Sequence, residues 1–146
     1  MDVERLKSIA AEWAAHDVDP ATKAEVEALL KARDWPQLED RFATALEFGT
    51  AGLRGVLGAG PNRMNRAVVL RTTAGFARYL KAQRPGAAKA GVVVGRDGRL
   101  MSEQFTRDVA EVLAAEGIVA HVFSELGPTP LTAFALLHLG AAGGVM

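Results

Sequence analysis

The chain has 146 residues, with 17 basic and 17 acidic side chains and no cysteine. Balanced charge gives bulk electrostatics no hold on nucleic acid or an anionic membrane, so any anion must be bound locally. The absence of thiols excludes disulfides, thiolate zinc sites and cysteine nucleophiles. The length suffices for one domain plus an extension, burying roughly 68–70% of the unfolded surface.

The opening Met1-Asp2-Val3-Glu4-Arg5 is charged and runs into an amphipathic pattern rather than a signal peptide. No apolar run approaches the roughly 18 residues of a membrane helix, so a cytoplasmic protein without a membrane partner is expected. Leu6, Ile9, Ala10 and Trp13 recur at helical spacing over 4–15, and Val26, Leu29 and Leu30 do so over 20–32. Asp19 as N-cap, Pro20 behind it, and Thr22 with Glu25 in capping-box spacing start the second helix. Asp34-Trp35-Pro36 starts a third, predicted to end near Leu46. Residues 1–46 thus form a helical extension ahead of a different texture over 47–146.

From Phe48 the chain becomes a glycine-punctuated loop or hairpin, up to a long helix capped by Asn65. That helix carries the stripe Val69, Leu70, Thr73, Phe76, Ala77 and Leu80, and Arg84-Pro85-Gly86 stops it. Gly91 to Gly95 is a β-branched strand. Ser102 is read as the cap of a helix with Phe105, Val109, Val112 and Leu113 on one face, ended by Gly117. Ile118 to Phe123 is the next strand; Thr129 then caps a helix that ends near Gly140, and Gly143 opens another strand. This alternation predicts an α/β fold: a three-layer α/β/α arrangement around a mostly parallel, mixed sheet. In such sheets ligands sit beyond the carboxyl ends of the strands.

Two glycine and arginine clusters carry the chemistry. In Gly95-Arg96-Asp97-Gly98-Arg99, a loop between strand and helix, backbone donors, Arg96 and Arg99 could meet one anion. The alternative is that Asp97 pairs with one arginine while Gly95 and Gly98 serve a tight turn. In Phe48-Gly49-Thr50-Ala51-Gly52-Leu53-Arg54-Gly55, small neighbours leave Arg54 free to project toward a ligand, and Thr50 offers a hydroxyl. A simple hairpin accounts equally well for Gly49, Gly52 and Gly55. Neither cluster is a dinucleotide or Walker motif. His16, His121 and His138 lack metal spacing, and Ser8, Ser102 and Ser124 lack a nucleophile-elbow context. No nucleophile and no metal ligand are assigned within the chain.

Leu46-Glu47-Phe48-Gly49-Thr50-Ala51-Gly52-Leu53-Arg54-Gly55, then Val94-Gly95-Arg96-Asp97-Gly98-Arg99, then Gly127-Pro128-Thr129-Pro130, in that order, strongly resemble the α-D-phosphohexomutase superfamily. The family indicated is phosphoglucomutase/phosphomannomutase. The likeness covers 46–146 and fits the first of that family's four domains. The helical extension resembles the phosphoglucomutase/phosphopentomutase branch. The resemblance implies reversible intramolecular phosphoryl transfer on a hexose or pentose phosphate, through an active-site phosphoserine, a sugar bisphosphate that acts as intermediate and activator, and Mg2+. An arginine and a divalent cation suit the charge that develops on the transferring phosphoryl oxygens. By motif position, Arg54 would contact that phosphoryl group or the bisphosphate, with Thr50 close by, and Arg96, Asp97 and Arg99 would shape the neighbouring loop.

The family's serine loop, Thr-Ala-Ser-His-Asn-Pro, would begin directly after Met146, and the magnesium aspartates and sugar-reading loop would lie further on. Residues 47–146 are therefore read as an incomplete first domain, whose partners would be a sugar phosphate and the remaining domains, and the chain alone is expected to be inactive. Two other readings are a stand-alone phosphate-binding or regulatory module and a purely structural domain. The apolar strand at Val145-Met146 favours the fragment and predicts association.

Overall fold

Apolar residues at helical spacing, each run bounded by an aspartate, build the first three helices: α1 (Val3–His16), α2 (Pro20–Ala32) and α3 (Trp35–Phe42). The computed structural model describes residues 1–50 and 52–146. It contains two units, Met1–Val68 and Val69–Met146.

In the first unit the aspartates cap as the sequence predicts. Asp19 Oδ1 accepts from Ala21 N–H at 2.9 Å, and Asp34 Oδ1 accepts from Gln37 N–H at 3.2 Å. The capping box does not form. Thr22 Oγ1 donates to Asp17 Oδ2 at 2.6 Å, and Glu25 is drawn away to Ala59 N–H at 2.9 Å. Leu6, Ala10, Ala14, Val26, Leu38, Phe42 and Ala59 form the buried core, with Trp13 edge-on to Phe42 at 5.9 Å between ring centroids. The third helix ends at Phe42, short of the predicted Leu46. Leu46 leaves helical pairing because its N–H donates to Pro61 O at 2.9 Å.

Beyond it, β1 (Phe48–Gly49) and β2 (Gly52–Leu53) form an antiparallel pair with Gly49 opposite Gly52. Residues 54–65 return to α4 (Arg66–Gln83). The predicted cap of that helix is present: Asn65 Oδ1 accepts from Val68 N–H at 2.9 Å.

The second unit holds most of α4, then α5 (Ala87–Ala90), β3 (Val92–Val94), α6 (Ser102–Ala115), β4 (Ala120–Val122), α7 (Thr129–Leu139) and β5 (Gly143–Val145). The three strands are parallel in the order β4-β3-β5, with Val93 opposite His121 on one side and Gly144 on the other. Val92, Val93 and Val94 are all buried, as a central parallel strand demands. Adjacent residues of a strand point to opposite faces, and β5 uses this directly. A Cβ on Gly143 would meet Phe76 of α4, whereas one on Gly144 would meet Leu136 and Thr132 of α7. Helices therefore cover both faces, giving the expected three layers. Within these strands all pairing is parallel; antiparallel pairing belongs to the separate β1-β2 ribbon.

Two predicted caps are corrected. Met101 precedes α6 in the left-handed region at φ 65°, and Ser102 is the first helical residue, its carbonyl accepting from Thr106 Oγ1. Pro128 precedes α7, so Thr129 lies inside the helix with Pro130 in its first turn. In both cases the loop, rather than a hydroxyl, sets the helix start. Among the described residues no helix is long and apolar enough to cross a membrane.

Candidate functional site

The β1-β2 ribbon carries the first candidate residues. Gly52 has φ +94°, a conformation that favours glycine, and Gly55 is backed so closely by Leu46 that a Cβ would lie 2.7 Å from Leu46 Cδ2. Thr50, Arg54 and Gly55 are exposed, and Gly49 faces only Gly52 across the ribbon. Ala51 of the motif lies outside the described residues. No carboxylate among the described residues pairs with Arg54, so its guanidinium, always charged and carrying five N–H donors, is free to take an anion.

In the second unit, residues 95–101 connect β3 to α6 at the carboxyl end of the central strand. Gly95 is buried against α7, and a Cβ there would lie 2.2 Å from Thr132 Oγ1. The Arg96 carbonyl accepts from Gly127 N–H at 3.0 Å, which joins this loop to the Gly127-Pro128-Thr129-Pro130 turn. Two of the three motifs thus meet at one sheet edge. Asp97 folds the loop on itself: Oδ1 accepts from Arg99 N–H at 3.0 Å and Oδ2 pairs with Arg99 Nε at 3.0 Å. Gly98 has no atom within 4 Å of a would-be Cβ, so its bareness leaves open space beside the backbone.

This loop lines an open cavity of about 520 Å³, with Arg96, Arg99, Ser102, Gln104, Arg107 and Leu126 on its wall. Asp97 and Glu103 share this wall with the three guanidiniums, Asp97 pairing with Arg99 and Glu103 with Arg107. Arg107 escapes sequence reasoning because its spacing from Glu103 reads as an ordinary ion pair on an exposed helix face. Asp108, fully buried and accepting from Gln104 Nε2 at 3.0 Å, escapes it too, since it interrupts the apolar face of α6.

Several remaining polar side chains have structural partners. His121 Nε2 lies 3.1 Å from Ala90 O, and Asp17 and Asp19 are occupied in capping α2. Among the described residues no group of three or more His, Cys, Asp or Glu side chains is placed to hold a metal ion.

A parallel sheet covered on both faces, with the Arg96–Arg99 loop at its carboxyl edge, defines an α/β/α domain. The chain belongs to the phosphoglucomutase/phosphomannomutase family, matching its alpha/beta/alpha domain I over residues 45–146. It is 43% identical over 141 residues to a probable phosphoribomutase of Schizosaccharomyces pombe, covering 97% of this chain and 24% of that protein. To the phosphoribomutase of Saccharomyces cerevisiae it is 40% identical over 144 residues, covering 97% and 23%. To the glucose 1,6-bisphosphate synthase of Mus musculus it is 34% identical over 148 residues, covering 97% and 24%. The chain therefore spans about a quarter of the length of these curated relatives. No solved structure matches it.

Proposed function

We propose that this chain is the first-domain part of a sugar-phosphate mutase, in which Arg54 stabilises the phosphoryl group as it passes between enzyme and sugar. The observation that carries the reading is the exposed guanidinium of Arg54, without a carboxylate partner among the described residues, on a ribbon of glycines within the stretch matched to the family. Phosphoryl transfer spreads charge over the equatorial oxygens, and a positioned arginine offers two parallel N–H donors to them. Thr50, exposed on the same ribbon, is positioned to add a hydroxyl donor. Arg96 and Arg99 bind or shape the approach to the phosphate at the second loop, with Asp97 fixing the direction of Arg99.

The phosphoserine and the Mg2+ ligands are supplied from outside the described residues, whose carboxylates and imidazoles do not fit a metal site. The chain alone is accordingly inactive. Pentose phosphates are the favoured substrate class, supported by the phosphoribomutase names of two relatives. The test is turnover of ribose 1-phosphate and glucose 1-phosphate, with magnesium and a bisphosphate primer. Arg54→Ala in the natural gene product should lower kcat by about 100-fold or more, the scale for losing a group that stabilises transition-state charge. Unchanged turnover in that variant rejects the role of Arg54, and robust turnover by the 146-residue chain rejects its inactivity.

A further inference from the structure

Arg54 makes no ion pair among the described residues, so the backbone beneath it sets where its side chain starts. Both strands of the ribbon are tied at their roots to one loop. Before the ribbon, Leu46 N–H donates to Pro61 O at 2.9 Å; after it, Val56 O accepts from Met64 N–H at 2.8 Å. Gly55 closes the gap between the two roots by lying against the Leu46 side chain.

The loop that holds these roots is itself held by the helical extension. Ala59, fully buried, donates its N–H to Glu25 Oε2 at 2.9 Å, and its carbonyl accepts from Arg41 Nη1 at 3.3 Å. Glu25 Oε1 and Arg41 Nη1 close the triangle at 2.7 Å, with the arginine side chain only 14% exposed. Asn62 adds two bonds, from its N–H to Arg41 O at 3.1 Å and from Nδ2 to Asp40 O at 2.8 Å. Gly60, at φ +103°, lets the loop pass so close to Arg41 that a Cβ would lie 2.9 Å from its carbonyl oxygen. With Glu25 35% exposed, this charge-assisted triangle is partly rather than fully open to water, and so less screened than an exposed ion pair.

We infer that Glu25 and Arg41 are positioning residues for Arg54, acting through Ala59 and residues 61–64 on the two roots of the ribbon. The helical extension thereby serves phosphoryl transfer rather than stability alone. This rests on the reading of Arg54 given above, and misplacement of such a group lowers rate more than substrate affinity.

The experiment is a double-mutant cycle in the natural gene product, using Glu25→Ala and Arg54→Ala, with kcat and KM for ribose 1-phosphate and hydrogen exchange over residues 46–64. Glu25→Ala should lower kcat by about 10- to 100-fold with little change in KM. In the Arg54→Ala background the same change should cost no more than about twofold, because coupled residues do not add. An equal loss in both backgrounds overturns the inference. If Glu25→Ala does not fold, Glu25→Gln keeps an acceptor for Ala59 while losing the charge pair, and the same cycle is read with it. Exchange over 46–56 should accelerate in either variant while α1 stays protected; unchanged exchange there overturns the inference whatever the turnover. Full turnover of Arg54→Ala would instead reject the role of Arg54, leaving the exchange result to decide whether Glu25 positions the ribbon.

Discussion

Gly95 and Thr132 leave no room between them: a Cβ on the glycine would stand 2.2 Å from Thr132 Oγ1, with Met146 Sδ at 3.0 Å. The last residue before the Arg96 loop is thus seated directly on α7. Gly95→Ala should destabilise the chain by about 1–3 kcal/mol, the usual cost of overpacking. Thr132→Ala removes the nearest clashing atom and should recover part of that loss in the double variant. Urea unfolding of the four proteins of the cycle checks both statements; additive losses would contradict the contact.

Gly98 provides the opposite case in the same loop. No atom lies within 4 Å of its would-be Cβ and its φ is not in the left-handed region. Gly98→Ala should therefore change stability by no more than about 0.5 kcal/mol, as for an ordinary surface site. A weaker grip on a sugar phosphate in that variant, measured by calorimetry on the natural gene product, is expected if the bare backbone serves ligand approach.

Asn65 performs two tasks with one side chain. Its Oδ1 caps α4 through Val68 N–H, while Nδ2 donates to the carbonyls of Gly58 and Gly60, each at 2.8 Å. Asn65→Asp keeps the cap acceptor but turns a carboxylate oxygen toward the part-buried Gly58 and buried Gly60 carbonyls. It should cost at least as much as Asn65→Ala, about 2–3 kcal/mol, since buried acceptors left unpaired lose their full desolvation cost. Denaturant midpoints of the two variants make the comparison; a milder effect for Asp would show that capping dominates.

Glu116 makes stability depend on acid. Lys81 Nζ at 2.7 Å, then Arg78 Nε at 2.9 Å, hold its carboxyl below the ordinary value of 4.5. Folding thus favours the ionised form, so its contribution is fully present above that ordinary value and is lost as pH falls through the lowered one. The stability gap between the parent and Glu116→Gln should be constant near neutrality and close in acid. Urea midpoints at about pH 7 and about pH 3 test this; a gap that persists in acid would point to packing instead.

The α7 surface bears on solution behaviour. Phe134 and Leu137 are 61% and 79% exposed on a helix that is apolar nearly all round. Helices of that character are normally covered, so the 146-residue chain should associate. Leu137→Lys should reduce the mass seen by light scattering without lowering the unfolding midpoint.

Much of this molecule was legible along the chain. The spacing of Leu6, Ala10, Val26, Val69 and Leu80 placed the helices, aspartates placed two helix starts, and the β-branched run Val92-Val93-Val94 announced the central strand. These signals are local: periodicity and capping depend on neighbours within a turn or two. The three quoted motifs carried the family in the same way, because their residue types and order survive without any knowledge of contacts.

What the linear pattern could not decide were the places where distant groups compete for one partner. Glu25 matches a capping box, yet Ala59, 34 residues away, takes its carboxylate. Leu46 reads as the end of a helix, yet Pro61 takes its N–H. Asp97 offers itself equally to either neighbouring arginine until the loop closes on Arg99. Each donor or acceptor has a limited capacity, and only the tertiary structure determines which of several competent partners arrives. Periodicity and local capping therefore placed most of the elements and the parallel α/β class, and the three ordered motifs carried the resemblance to the family. Tertiary structure decided that the Arg54 ribbon is rooted, through Ala59, in a charge pair of the helical extension, because that attachment exists only between residues the sequence keeps apart.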